Sequence, residues 1–145
     1  MSDEPPDETF ARLEARYGSM TAPIGWYVEP TPRGLTAVAY GELTISVGAA
    51  FILLQIERSS WFKFWPPAPP SLQIGDWRMR LDGARISDDH RLCVAVMTAA
   101  AGAELLRRMA IEEAALDIVV PLQGGLATKR WTADLMGAAA AVAAL

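Results

Sequence analysis

The chain has little of what most chemical sites are built from. Among its 145 residues there is one cysteine, Cys93, and one histidine, His90. A single thiol excludes an internal disulfide and a multi-cysteine metal cage, and a single imidazole excludes a multi-histidine site. Neither a metal nor a cofactor is expected. The glycines form no G-x-G-x-x-G and no G-x-x-x-x-G-K, so no phosphate cradle is present. Nor is there a serine in a G-x-S-x-G elbow or an H-E-x-x-H pair, which makes an enzyme the minority reading.

Long apolar runs are missing too. The longest, Val47 to Leu54, falls well short of the roughly 20 residues that a membrane-crossing helix needs. The start, Met1-Ser2-Asp3-Glu4-Pro5-Pro6, lacks the basic-then-apolar order of a secretory signal. A cytoplasmic protein is expected. Lysine is scarce, confined to Lys63 and Lys129, and the arginine and alanine bias points to a bacterial genome rich in GC. A net charge of −4 and a pI near 5.0 argue against a general nucleic-acid binder, which needs a basic face to displace counterions from phosphates.

What is present is a globular composition, with 52% hydrophobic and 21% charged residues, on a chain of ordinary single-domain length. Residues 1–8 read as a mobile acidic start and 9–145 as one domain. The stretch that stands out is Trp61-Phe62-Lys63-Phe64-Trp65, followed by a proline-rich connector at 66–70. Contiguous aromatics cannot all face one core, because neighbouring side chains leave the backbone in different directions. In an extended segment Phe62 and Phe64 would point inward, and Trp61, Lys63 and Trp65 outward. Such a ladder next to Arg58 suits a partner protein, a membrane interface or a stacked ring ligand. The plainer reading is an aromatic crossover folded over a sheet. The prolines, lacking amide hydrogens and with φ restricted, read as a stiff connector between two halves.

Periodicity supplies the elements. Phe10, Leu13 and Tyr17 mark a short N-terminal helix closed by Gly18. Residues 22–34, rich in Pro and Gly, read as turns around a short apolar piece at 24–28. Alternation over 35–47, with a hairpin around Gly41-Glu42 and a further strand after Gly48, predicts a three-stranded meander. Trp77, Met79 and Leu81 alternate with Arg78 and Arg80, then Asp82-Gly83 turns the chain. Residues 86–91 read as polar loop and 92–97 as strand. From residue 99 the composition becomes helical, giving a helix over 102–115 with Leu105 and Met109 on one side. A strand at 116–120 with Pro121 at a sheet edge, a turn at Gln123-Gly124-Gly125, a last strand over 127–135 and a short alanine-rich helix complete the chain. The fold class expected is α+β, a mainly antiparallel sheet of about six to seven strands.

Asp88-Asp89-His90, with Cys93 three residues on, is the one polar cluster that resembles a site. A catalytic thiol must share a face with its base, and on a strand His90 and Cys93 have opposite parity. A buried, inert cysteine is the expectation. The carboxylates Asp76, Asp82, Asp117 and Asp134 are scattered along the chain.

The C-terminal third, with Trp131, Leu135, Gly137 and Ala141 leading into an alanine-rich helix, resembles the ending of the invasion-associated locus B family of small bacterial proteins. The resemblance implies a compact β-rich architecture. The chain departs from that family in having no cysteine pairs and no signal peptide, and no activity is carried across. The function expected is a noncatalytic interaction or accessory domain, offering Trp61, Phe62, Lys63, Phe64 and Trp65 to a partner protein or to its own twin in a homodimer. The alternative is a small-molecule site or unrecognised enzyme with a pocket between sheet and helix near Leu105 to Met109, using Arg78, Arg80, Asp88, Asp89 and His90. Peripheral membrane contact through Trp61, Lys63 and Trp65 is a third reading, disfavoured at anionic lipid by the negative charge.

Overall fold

Alternating apolar and polar residues make strand the main regular structure among the described residues, and the strands form two antiparallel sheets. A computed structural model describes residues 25–65, 68–122 and 127–145. The acidic stretch 1–8, the helix expected near 9–17, Pro66 and Pro67, and the Gln123-Gly124-Gly125 turn lie outside these residues.

The first sheet has six strands in the order β1-β2-β3-β4-β8-β7, namely Tyr27–Thr31, Gly34–Ala39, Leu43–Val47, Phe51–Ile56, Leu92–Val96 and Arg85–Ile86. The second has four in the order β10-β9-β5-β6, namely Thr128–Ala133, Leu116–Pro121, Ser71–Ile74 and Trp77–Arg80. Two helices are described, α1 at Ala99–Ile111 and α2 at Ala138–Ala143. The class is therefore α+β with antiparallel pairing, as the alternation predicts. The single sheet expected is in fact two. The meander gains a fourth strand, β1, where the prolines suggested only turns. Pro30 is tolerated there because β1 is an edge strand, so its missing amide hydrogen removes no ladder bond on an interior side. Ile86, read as loop, pairs with Cys93 as half of a two-residue edge strand.

Registers turn alternation into a core. In the first sheet Ile45, Leu54, Cys93 and Ile86 lie side by side, as do Ala37, Val47, Ile52 and Ala95. In the second, Met79, Leu72, Ile118 and Trp131 form one row and Trp77, Ile74, Leu116 and Ala133 the next. These rows join a single hydrophobic cluster. The opposite face of the second sheet is polar: Asp117 accepts from Thr132 Oγ1 at 2.7 Å and from Arg130 NH1 at 2.8 Å. β9 is interior in its sheet, which corrects the expectation of an edge. Pro121 escapes the usual penalty because the β5 pairing stops at Val119.

Helix α1 begins at Thr98, whose hydroxyl accepts from Ala101 N–H at 3.1 Å, and ends at Ile111 rather than 115, with Glu112 in the left-handed region. Its buried face is Gly102, Leu105 and Met109. A β-carbon at Gly102 would collide with the Ala49 carbonyl oxygen, so the helix lies directly on the β3–β4 turn. Arg108 is half-buried, with its guanidinium 5.5 Å from the Trp77 ring centroid. Leu105 and Met109, beside which a pocket was expected, are fully buried.

Leu105→Ala leaves a cavity at this contact. A loss of about 2–5 kcal/mol is expected, read as a lower denaturant midpoint with an unchanged slope.

Candidate functional site

Between Ile56 of β4 and Ser71 of β5 the chain crosses from the first sheet to the second, and the aromatic run lies on that crossover. Its alternation is that of an extended segment. Phe62 and Phe64 are each 1% exposed, Trp61 is 69% exposed, and Lys63 and Trp65 are half-buried. The two phenylalanines proposed as partner contacts are therefore core residues that anchor the segment. Lys129 Nζ, from β10, stands 5.8 Å from the Phe62 ring centroid, so Phe62 is held at the junction of the sheets. Beyond the run, Ala68 N–H donates to Trp65 O at 2.9 Å.

Two devices hold the crossover. Ser60, buried, donates from Oγ to Glu42 Oε2 at 2.8 Å, and Glu57 N–H donates to Glu42 O at 2.8 Å. Arg91 does more. Its NH1 lies 3.1 Å from Glu57 O, 2.9 Å from Ser60 O and 3.2 Å from Phe62 O. That nitrogen carries two protons, so at least one bond is shared between carbonyls, and a fixed positive charge gathers three backbone dipoles.

Arg91 is aimed by the turn that precedes it. Asp89 Oδ1 accepts from Ser87 Oγ at 2.6 Å and from Arg91 N–H at 3.1 Å, while Leu92 N–H donates to Ser87 Oγ at 3.0 Å. The Ser87 hydroxyl first, then the Arg91 amide, hold the Asp89 carboxyl below its ordinary range, with Arg58 adding to the effect. His90 takes a left-handed conformation, φ 60°, uncommon for a residue with a side chain. Its carbonyl receives Phe64 N–H at 2.9 Å and its ring meets Trp65 edge to face, centroids 5.2 Å apart.

The aromatic run and the Asp88-to-His90 cluster are thereby brought together. An open cleft of about 570 Å3 is lined by Arg58, Lys63, Trp65, Asp88, Asp89, His90 and Arg91. Arg78 and Arg80 are not part of it. They project from the outer face of the second sheet, where Arg78 donates to Gln73 and Arg80 pairs with Asp82 at 2.7 Å. Sequence reasoning gave Arg91 no role; its place after the Ser-Asp-Asp-His turn was visible, but its contacts lie 29 to 34 residues away. Among the described residues no group of three or more metal-ligating side chains occurs, and no helix is long and apolar enough to cross a membrane.

Cys93 takes no part in the cleft. It is fully buried on β8, and burial pushes its thiol up to about 11. Compared with known proteins, the chain matches no family model, no curated protein and no solved structure.

Two outcomes follow from this geometry. Cys93 should resist a thiol reagent at pH 8 until the protein unfolds. Because the folded thiol has the higher pKa, stability should be level below the unfolded thiol's value, about 8.5, and fall as pH rises towards 11. Arg91→Lys supplies charge without the planar fork; it should cost roughly 1.5–3 kcal/mol and increase acrylamide quenching of tryptophan fluorescence.

Proposed function

We propose that this chain is a noncatalytic interaction domain of a bacterial, cytoplasmic protein, which presents Trp61 with Lys63 and Trp65 to a partner protein. The observation that carries the reading is a tryptophan 69% exposed on a segment whose neighbours are fixed. Trp61 does not turn inward, because Phe62 and Phe64 after it are seated in the core and Arg91 holds the backbone carbonyls of Ser60 and Phe62. A large ring kept in water on a rigid support has little ordering entropy left to lose when covered, which is the character of an interface hot spot. The likeness of residues 131–141 to the invasion-associated locus B family adds bacterial origin to this reading and no activity.

A second reading is a small-molecule site in the cleft itself, favoured by the Trp65–His90 ring pair beside Arg58 and Lys63. Its volume is in the range of ligand pockets, but it is open to solvent and bounded largely by charge, whereas small-molecule pockets are mostly apolar and enclosed.

The test places a photo-crosslinking residue at position 61 in the cell that makes the protein. A discrete protein adduct, identified by mass spectrometry and weakened about tenfold by Trp65→Ala with Lys63→Ala, is expected. An adduct between two copies of the chain would identify the partner as its twin. Absence of any adduct, with light scattering that gives a monomer, would overturn the reading. Trp61→Ala alone should change stability by no more than about 0.5 kcal/mol, as at other exposed positions.

A further inference from the structure

We infer that the outer face of the six-stranded sheet is the docking surface for the chain's own residues 9–17, a segment outside the described residues whose sequence carries one apolar stripe. This holds or fails independently of the reading of Trp61. The rows through Ile45 and through Val47 face the core, so by alternation the residues between them face away. They form one row across all six strands: Tyr27, Val38, Ser46, Leu53, Val94 and Arg85. Val38, Leu53 and Val94, with the pair Phe51 and Val96 beside them, lie outside the hydrophobic core.

An antiparallel face open to water is normally polar, and the second sheet has such a face, carrying Arg78, Arg80 and Arg130 with their partners. The outer face of the first sheet is apolar instead. Among the described residues neither helix covers it, because Leu105, Met109, Ala138 and Ala141 all join the core. Its exposure is uneven. Val96 on β8 is 76% exposed, Leu53 and Val94 are half-buried, and Val38 on β2 is 4% exposed. Phe51 is capped by Arg33 of the β1–β2 turn, whose guanidinium lies 5.8 Å from its ring centroid. Along the main row, cover therefore increases towards β1, the edge strand through which residues 1–24 enter the sheet.

Length and pattern decide the occupant. Phe10, Leu13 and Tyr17, at i, i+3 and i+7, share one helix face about 10 Å long. Strands lie about 4.8 Å apart, so the stripe matches the span from Val38 across Ser46 to Leu53. Residues 18–24 can reach roughly 23 Å, whereas β4 lies three strand spacings, roughly 14 Å, from β1. A stripe tethered within reach acts at an effective concentration in the mM range, so it takes the face ahead of a second copy or a free partner.

Crosslinking in the full-length chain tests this, since the native Cys93 is buried and does not compete. Leu13→Cys combined with Leu53→Cys should be joined within one molecule by a short bis-maleimide, at a rate at least about tenfold that of Arg12→Cys with Leu53→Cys, whose first residue lies opposite the stripe. Val94→Cys, on the same row, serves as a second position on the sheet. Separately, Leu13→Asp with unchanged circular dichroism should raise the binding of a dye that senses apolar surface several-fold. Equal rates for the Leu13 and Arg12 pairs, no crosslink at either sheet position, or dye binding that Leu13→Asp leaves unchanged would overturn the assignment. So would a product that joins two molecules, since the occupant would then be a second copy.

Discussion

The guanidinium of Arg91 is the interaction on which the surface of this protein depends. The 57–65 crossover has no ladder of its own, and an extended segment without one loses conformational entropy with few backbone bonds in return. Arg91 offsets that loss by collecting three carbonyls, while the His90 carbonyl receives the Phe64 amide from the same turn. Phe62 and Phe64 are then drawn into the core, and burying each contributes about 1.5–3 kcal/mol. The exposure of Trp61 is a by-product of that anchoring. Strict alternation leaves it no inward direction once both phenylalanines are seated.

The turn that aims Arg91 concentrates local strain and local satisfaction in the same five residues. His90 holds an uncommon backbone conformation, and the Ser87–Asp89 hydrogen bonds around it supply the compensation. Asp89 is therefore committed to structure although it lines the cleft. Carboxylates count for recognition only after their internal obligations have been subtracted.

Much of the fold was legible as pattern and little of it as partnership. Trp77 and Met79 alternating with Arg78 and Arg80 declare a half-buried strand, and Phe62 and Phe64 declare their inward direction, because parity is a local property. Parity does not say which strand lies alongside. That β5 pairs with β9 across more than forty residues, making a second sheet, has no local signature. The strand β1 was hidden by its prolines, since the rule against proline in strands relaxes at an edge that only the finished sheet defines. The candidate site divided in the same way. Trp65 and His90 each stood out, but their contact did not, and Arg78 and Arg80 were grouped with a cluster that belongs to another face.

The order in which the chain visits its sheets bears on how it folds. It lays down β1 to β4 in the first sheet, β5 and β6 in the second, β7 and β8 back in the first, and β9 and β10 in the second again. Neither sheet is a contiguous piece of polypeptide, so no severed half of the chain contains a finished one. The interleaving demands closure of long loops before non-local pairs reward it, which slows folding. It also ties the two sheets to one transition, because the shared core empties when either opens. The crossover that carries Trp61 is the first passage between them, so the surface proposed to meet a partner is built from the same stretch that commits the chain to its second sheet.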